Sequence, residues 1–299
     1  MDQIHLMKVF VAVGELENFA AASRRLDMSP AAVTRAVSAL EQQLGVKLLL
    51  RTTRSVRLTE AGHRYLQDSR NILASLHEAN EAAAGINATP RGELAVTAPV
   101  LFGRYFVMPC VVEYLQAYPE VDVAAYFLDR VVNLVDEGMD VAVRIGHLPD
   151  SGLKALRVGQ VRRMLCASPA YLDRAGRPQH PRDLQAHTVI ARSNILPRLD
   201  WRFGSASAPL VQRVRPRLMV TSNDGAVAAA CAGLGIARQP YYQIADDLAA
   251  GRLEVLLPEY EEAPWPIHVV HRESRYGSSK VRSFIDLLAA HLRAQAHLN

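Results

Sequence analysis

Residues 29–45, SPAAVTRAVSALEQQLG, carry the clearest structural signal of the N-terminal region. Ser29 is a good helix N-cap, and Pro30 suits the first helical position, where a missing N–H costs nothing. Gly45 is a stop signal at the other end. Between these limits, apolar residues recur at intervals of four, three and four, which predicts a helix with one buried stripe. The stripe consists of Val33, Val37, Leu40 and Leu44.

The opposite face of this helix carries small, polar and basic residues, namely Ala31, Thr34, Arg35 and Ser38. An α-helix reads the DNA major groove when the residues that face the bases are small or can hydrogen-bond to base edges. Thr34 can bond to a base or a phosphate, and Arg35 can reach guanine or the backbone. The face therefore favours a role in DNA recognition.

Two further helices and a hairpin complete the predicted module. Residues 2–14 have an amphipathic pattern, and Asn18 caps a second helix at 19–26. Two short strands at 47–50 and 55–58 enclose Arg51-Thr-Thr-Arg54, which predicts a wing whose arginines enter a minor groove or clamp phosphates. The arrangement is typical of a winged helix-turn-helix; an ordinary helical hairpin with an incidental polar face is the alternative.

The charge of this region points to the same partner. From residue 24 to residue 57 there are seven basic and two acidic residues, whereas the whole chain has a net charge of only +4. A local basic excess is expected where phosphates are neutralised. A solvated basic surface is the alternative.

A long helix follows the wing. Thr59 can cap it, and it continues to about residue 87 before the turn-rich hinge at 88–92. Small and apolar residues at alternating intervals of four and three predict the seam of a short dimeric coiled coil, the alternative being a core helix packed on its own domain. The seam consists of Gly62, Leu66, Ser69, Leu73, Leu76, Asn80 and Ala83.

Short apolar strands alternate with helices in the rest of the chain. Strands are predicted at 94–98, 121–128 and 141–145, with helices at 103–118 and 131–137 between them. This alternation predicts α/β domains with largely parallel sheets.

The ordered segments resemble the LysR-type transcriptional regulators. In the N-terminal part the resemblance rests on Phe19–Leu26, residues 29–37, Leu40-Glu41, residues 44–48, 51–54 and 58–62. Further along it rests on Phe102-Gly103, Pro109, Tyr118-Pro119, residues 140–146 and 167–171, Asn223-Asp224 and residues 233–236. It spans essentially the whole chain.

The resemblance implies an α+β multidomain fold. Residues 1–58 would form the winged helix-turn-helix DNA-binding domain, and 59–91 the dimerisation helix and hinge. Residues 92–299 would form a two-lobed α/β effector domain of the type II periplasmic-binding-protein class. The chain would cross between lobes near 161–164 and 263–267, which makes lobe one 92–162 plus 267–299 and lobe two 163–266.

The resemblance also implies DNA contacts. Pro30 departs from the family pattern because a base-reading Gln is common there, and Thr34 replaces the usual Ser but keeps the hydroxyl. The candidate DNA-binding residues are Ser29, Pro30, Ala31, Thr34, Arg35, Ser38, Arg51 and Arg54.

A small-molecule effector is expected in the cleft between the lobes, near strand C-termini and helix N-termini. The first loop, residues 98–101, lacks the Ser or Thr that often grips a carboxylate, which favours a more apolar, aromatic ligand. Turn formation or capping is the alternative role of each candidate. The candidates are Ala98, Pro99, Val100, Leu101, Arg144, Gly146, His147, Asn194, Pro197, Ser222, Asn223 and Asp224.

Enzyme signatures are missing from the sequence. There is no Gly-x-Ser-x-Gly elbow or Walker loop, the ten histidines are scattered, and the three cysteines lie far apart. We therefore expect no catalytic residues, metal or cofactor beyond an unknown effector. A small-molecule enzyme or solute-binding protein with a helical N-terminal appendage is the second hypothesis, and salt-dependent binding to duplex DNA distinguishes the two.

The expected partners are double-stranded promoter DNA, a small-molecule inducer and further copies of the chain in a homodimer or homotetramer, with RNA polymerase as an additional candidate. Early acidic residues exclude a signal peptide, and no uncharged apolar run reaches the roughly 18 residues that span a bilayer. Cysteines in apolar settings suit a reduced compartment. We therefore expect a cytoplasmic protein without a membrane partner.

Overall fold

The computed structural model describes residues 2–51, 56–83, 89–192, 199–204, 210–272 and 278–298. A small helical domain comes first, a long helix follows it, and two five-stranded sheets form the remainder.

Local capping sets the limits of the N-terminal helices. The Asn18 side chain accepts a hydrogen bond from the Ala21 amide at 2.9 Å, and Ser29 Oγ accepts one from the Ala32 amide at 3.2 Å. Gly45, with φ of 69°, ends the third helix in the left-handed region that glycine adopts without strain. The elements are α1 (Gln3–Leu16), α2 (Phe19–Arg25), α3 (Pro30–Leu44), β1 (Leu49–Arg51) and β2 (Val56–Leu58).

A tight turn joins α2 to α3 at the predicted break. Asp27 has a φ of 51°, and the Met28 amide donates to the Ser23 carbonyl at 2.9 Å. The turn lets α2 and α3 pack against α1 around a core that includes Phe10 and Leu40, both fully buried. These contacts make the helix-turn-helix a packed domain.

The long helix α4 (Glu60–Ala83) begins against the wing. Thr59 Oγ1 accepts from the Gly62 amide at 2.9 Å and donates to the Lys47 carbonyl at 2.8 Å. The first three predicted seam positions, Gly62, Leu66 and Ser69, are buried within the same chain. The same small and apolar pattern therefore also suits packing on the N-terminal domain, where Leu66 joins the core, and the dimer seam stays a prediction.

Lobe one is built on a mixed sheet with the strand order β4-β3-β5-β14-β6. Strand β3 runs parallel to β4 and β5, while β14 is antiparallel to β5 and β6. The sheet therefore takes its fourth strand from near the end of the chain. The strands are β3 (Gly92–Ala98), β4 (Val121–Phe127), β5 (Val141–Ile145), β6 (Leu153–Val161) and β14 (Trp265–Arg272).

Lobe two has its own sheet, with the order β11-β8-β12-β7-β13, and an added hairpin of β9 and β10. Strand β8 is parallel to β11 and β12, and β7 is antiparallel to β12 and β13. The strands are β7 (Arg163–Ala167), β8 (Val189–Arg192), β9 (Leu199–Phe203), β10 (Leu210–Val214), β11 (Pro216–Val220), β12 (Ile236–Pro240) and β13 (Glu254–Leu256).

Helices cover both sheets. In lobe one, Tyr114 and Phe284 are fully buried and in ring contact, which joins a central helix to the C-terminal one. A π-helical turn (Gly103–Val107) separates α5 from α6. The helices are α5 (Val100–Phe102), α6 (Met108–Ala117), α7 (Pro169–Ala175), α8 (Asn223–Cys231), α9 (Tyr241–Ala249) and α10 (Ser279–Arg293).

The predicted helix at 131–137 is wrong. Asn133 Oδ1 accepts hydrogen bonds from the amides of Val135 and Asp136 at 3.0 and 3.4 Å, and residues 134–138 form turns. A short side-chain amide that bonds to nearby backbone offers an alternative to the helix.

One predicted lobe boundary also needs correction. Strand β6 ends at Val161 and β7 begins at Arg163, but β14 already includes Trp265 and Pro266, which pair with Val161 and Gln160. A boundary at 266/267 therefore cuts into a strand of lobe one. Pro264 and Pro266 suggest from the sequence that no strand begins before residue 267, because proline has no N–H to donate. Pro266 nevertheless belongs to β14, and its carbonyl accepts a hydrogen bond from the Gly146 amide at 2.8 Å.

Gly62 tests the packing of α4 on the wing. A Cβ at this position would lie 2.0 Å from the Leu48 carbonyl oxygen, so Gly62→Ala forces the backbone apart. We expect this variant to lose about 1–3 kcal/mol of stability in the N-terminal domain, as overpacked sites do. Scanning calorimetry measures the loss as a lower melting temperature.

Gly152→Ala is the matched control, because nothing lies within 4 Å of a Cβ built there. Equal melting temperatures for Gly62→Ala and the control would contradict the close contact between α4 and the Leu48 carbonyl, just before β1.

Candidate functional site

The outer face of α3 holds the six predicted helix residues together. Ser29, Pro30, Ala31, Thr34, Arg35 and Ser38 are all exposed. The inner face of the same helix is buried, with Val33, Ala36, Val37 and Leu40 in the domain core and Leu44 half-buried. One helix therefore anchors the domain with one face and presents the other to solvent.

The wing follows α3. Strands β1 and β2 pair antiparallel, with Leu49 opposite Leu58 and Arg51 opposite Val56. Arg51 ends β1, while Arg54 lies outside the described residues.

Glu41 fastens the wing to α3, a role the sequence did not suggest. Its carboxylate is buried and accepts hydrogen bonds from the Leu48 and Leu49 amides at 3.0 and 3.1 Å and from Lys47 Nζ at 2.8 Å. Burial opposes ionisation, but these hydrogen bonds and the Lys47 charge hold the pKa of Glu41 below its usual value. Glu41 is therefore ionised and fixes the start of β1 relative to α3.

Glu41→Gln tests this anchor. A carboxylate with a lowered pKa stabilises the folded state fully above its ordinary pKa, and this contribution is lost as the pH falls towards the lowered folded value. We expect the variant to lose about 1–2 kcal/mol near neutral pH, the worth of charge-assisted hydrogen bonds. The loss should shrink in acid, where the wild-type carboxyl is also neutral.

Urea unfolding as a function of pH measures both effects. Gln42→Glu is the control, because residue 42 is exposed on the same helix. If wild type and Glu41→Gln showed the same pH dependence, the anchoring role of the carboxylate would be excluded.

A cavity of about 310 Å³ lies between the two lobes. Its walls come from the ends of strands in both sheets and from α9, so both lobes contribute to one site. This is the size of a small-ligand site. The lining residues are Pro99, Leu101, Leu128, Asp129, Arg130, Val131, Arg144, Ile145, Val161, Arg163, Ile190, Ala191, Arg192, Trp201, Asn223, Arg238, Pro240, Tyr242, Gln243 and Trp265.

Four predicted effector residues line the cavity: Pro99, Leu101, Arg144 and Asn223. Asn194 and Pro197 lie outside the described residues. The other candidates are not in the lining, and two of them bond locally: Ser222 Oγ and Asp224 Oδ1 both accept from the Gly225 amide, at 3.4 and 2.9 Å. The residues outside the lining are Ala98, Val100, Gly146, His147, Ser222 and Asp224.

Five arginines line the cavity, and the sequence predicted only one of them, Arg144, as an effector contact. Arg192 connects the lobes: its guanidinium donates to the Asp129 carbonyl oxygen at 3.1 Å and lies 3.6 Å from the Asp129 carboxylate. Arg130 is paired with Glu137. The cavity is therefore strongly basic, in contrast to the apolar site that the loop at 98–101 suggests.

Glu262 holds two of these arginines at the crossings between the lobes. Its Oε1 lies 3.0 Å from Arg163 and 2.8 Å from Arg238. Arg163 also stacks on the Trp265 ring, 4.1 Å from its centroid. Burial and the nearby charge of Arg163 lower the pKa of Arg238 to about 10, which leaves it charged at neutral pH.

Arg144 has no such carboxylate partner. Among the described residues, its guanidinium donates to the Val132 carbonyl, and no carboxylate lies within ion-pair distance. Burial lowers the pKa of Arg144 from its usual value. The Glu137 carboxylate acts on Arg144 from beyond ion-pair distance and is itself paired with Arg130. A half-buried cation with only this shared counter-charge favours binding of an anion.

A sequence signal for part of this cavity exists. Arg238 and Gln239 are polar residues inside the otherwise apolar strand β12, and both are buried. Buried charge within a strand is rare unless it is paired, so it marks a site. Which other strands end beside it depends on the sheet order.

No group of three or more His, Cys, Asp or Glu in the described ranges could hold a metal ion. No helix in the described part of the chain is long and apolar enough to cross a membrane.

Comparison with known proteins shows the same two-part organisation. A family model for the bacterial regulatory helix-turn-helix protein of the lysR family matches residues 4–63, and one for the LysR substrate binding domain matches residues 87–293. The chain belongs to the LysR-type family of transcriptional regulators.

Individual relatives cover nearly the full length. The chain is 34% identical to the uncharacterized HTH-type transcriptional regulator YhjC of Escherichia coli K12, over 97% of each chain. It is 33% identical to the HTH-type transcriptional activator AaeR of the same organism, over 96% of this chain and 93% of AaeR. It resembles the full-length structure of the Vibrio cholerae virulence activator AphB with a TM-score of 0.64, 27% identity and coverage of 97% and 100%.

The family decides the general function. This LysR-type regulator binds DNA through its helix-turn-helix and a small-molecule effector through its regulatory domain, and it forms oligomers. LysR-type regulators are not enzymes, so the hypothesis of an enzyme or solute-binding protein with an N-terminal appendage is not supported.

Proposed function

We propose that this regulator reads promoter DNA with the exposed face of α3 and the wing, and responds to an anionic effector bound between its lobes. The exposed face of α3 carries this proposal, because it presents Thr34 and Arg35 on a helix whose other face is anchored in the core. The proposed DNA contacts are Ser29, Pro30, Ala31, Thr34, Arg35, Ser38, Arg51 and Arg54.

The side-chain chemistry of these residues suggests a different role in DNA binding for each of them. Pro30 and Ala31 carry no side-chain donor, so they offer only shape and apolar contact at the start of α3. Thr34 and Arg35 supply the hydrogen bonds, and Arg35 is the candidate for a bidentate contact with guanine. Wing arginines would add phosphate or minor-groove contacts.

We propose three consecutive segments along the chain. Residues 1–58 form the DNA-binding domain, 59–91 the linker helix and hinge, and the remaining residues the effector domain. We place the crossings between lobes at residue 162 and at 261–264, where one sheet ends and the other begins. The proposed location is the cytoplasm, where promoter DNA and RNA polymerase are available as partners.

Binding to duplex DNA at increasing salt tests the DNA interface. The probe is a duplex enriched by repeated selection from a random pool. We expect affinity to fall steeply with salt. We expect Arg35→Ala to weaken binding about 5- to 150-fold, because a bidentate contact with a base is worth about 1–3 kcal/mol.

Arg182→Ala is the matched control, because Arg182 is an exposed arginine in lobe two, away from α3. It should leave affinity and salt dependence unchanged. Failure of the wild-type protein to bind any duplex at low salt would refute this interface.

We also propose a homotetramer that uses both linker-helix and effector-domain contacts. An apolar stripe on the π-helical turn and α6 supports it, since four large side chains at intervals of three or four are exposed in the single chain. Exposed apolar patches of this kind mark protein contacts. The stripe consists of Tyr105, Met108, Val112 and Leu115.

Val112→Glu tests the second contact. A charge in an apolar interface is costly, so we expect the variant to lose one interface and to sediment as a dimer where the wild type sediments as a tetramer. Ala117→Glu, at an exposed position of the same helix on the side away from Val112, is the control and should stay tetrameric. A wild-type protein that is only monomeric in the ultracentrifuge would refute the assembly.

A further inference from the structure

The charges around the cavity between the lobes do not balance. Arg130 is paired with Glu137 and Arg192 with Asp129. Arg163 and Arg238, in contrast, share the single carboxylate of Glu262. Arg144 has no carboxylate within ion-pair distance among the described residues.

The excess therefore amounts to two positive charges in two places. One belongs to Arg144, at the end of β5 in lobe one. The other belongs to the Arg163 and Arg238 pair, which β7 and β12 of lobe two contribute. The two places face the same cavity from opposite lobes.

Each place can offer a planar fork of N–H donors. The Glu262 Oε1 atom occupies one side of Arg163 and of Arg238, and the Val132 carbonyl occupies one Nη2 donor of Arg144. A guanidinium has five N–H donors, so each retains donors for an incoming group. Forks of this kind match a carboxylate, which accepts two parallel hydrogen bonds.

We propose that the effector is a small dianion with two separated acidic groups, a dicarboxylate, one bound by Arg144 and the other by the Arg163 and Arg238 pair. This inference rests on the proposed function of the cavity as the effector site. A dicarboxylate offers a separate carboxylate to each of the two places, whereas a phosphate offers a single group for both. A dicarboxylate that spans the cavity binds both lobes at once.

The apolar part of the lining limits the rest of the ligand. Leu101, Ile145 and Trp201 lie around the same 310 Å³ space, which suits a short chain or one ring between the acidic groups. A ligand that contacts both lobes also links its binding to the relative position of the lobes. The reason is that a ligand shifts the equilibrium between two lobe arrangements only through contacts that differ between them.

The test compares diacids with their own monoamides. The probes are succinate, glutarate and the three benzenedicarboxylates, each measured by calorimetry on the full-length protein beside its monoamide, with inorganic phosphate as a further probe. We expect at least one diacid to bind, its monoamide to bind at least tenfold more weakly, and phosphate to bind more weakly than that diacid.

Variants of Arg144 test whether this residue causes the preference for a diacid over its monoamide. Arg144→Gln should reduce the diacid to the affinity of its monoamide, and Arg144→Lys, which keeps the charge but loses the fork, should retain part of the preference. Arg213→Gln removes an exposed arginine on β10 that does not line the cavity, and it should change nothing. Unchanged melting temperatures without ligand establish that each variant is folded.

Four results would overturn the proposal: no diacid binds, a monoamide binds as tightly as its diacid, phosphate binds more tightly than every diacid, or Arg144→Gln keeps the diacid preference. Binding to duplex DNA by the same preparations is measured in parallel. Retained DNA binding beside one of these results would show that the ligand class is wrong while the regulator function stands.

Discussion

Two guanidinium groups, those of the buried Arg238 and the half-buried Arg163, share the Glu262 carboxylate next to the places where the chain passes between the lobes. Arg163 lies directly after the first crossing, and Glu262 lies within the second. Next to them, Arg162 pairs with Glu261 through two hydrogen bonds of 2.9 and 3.0 Å. Because buried charges are stable only when paired, these contacts hold the two crossing segments side by side. The position of each lobe, and hence the shape of the cavity, depends on this pairing.

A ligand in the cavity can influence the arrangement of the lobes, because both lobes contribute to its walls. The aromatic ring of Tyr242, from lobe two, packs against Phe102 and Phe106 of lobe one. Arg192 and Asp129 connect the lobes again at the cavity wall. A ligand that changes the balance of these contacts changes the relative stability of lobe arrangements, which is the physical content of an effector response.

In the DNA-binding domain, too, a few contacts fix the relative positions of the elements. Helix α3 is held by its buried face, Glu41 ties the wing to it, and Thr59 ties the linker helix to the wing. Arg70 of α4 pairs with Glu15 of α1 at 3.0 Å, and Gln67 donates to the Val135 carbonyl of lobe one at 3.2 Å. The linker helix therefore contacts both the DNA-binding domain and the effector domain of its own chain.

Local sequence signals predict the helices of the DNA-binding module. Helix caps, the Gly45 stop and the four-three-four spacing are local signals, and the helices begin and end where these signals predict. The general function followed as well, because the resemblance rests on short motifs that are contiguous in the chain.

The composition of the cavity, in contrast, depends on how the strands are arranged in three dimensions. Arg163, Arg192 and Arg238 are far apart in sequence and meet because β7, β8 and β12 are neighbours in one sheet. The tertiary arrangement also decides that Gly62 and Leu66 pack on their own domain, since the same spacing serves a coiled coil equally well. Helix limits are set by neighbours along the chain, whereas pairing of distant charges depends on the strand order, which no local pattern encodes.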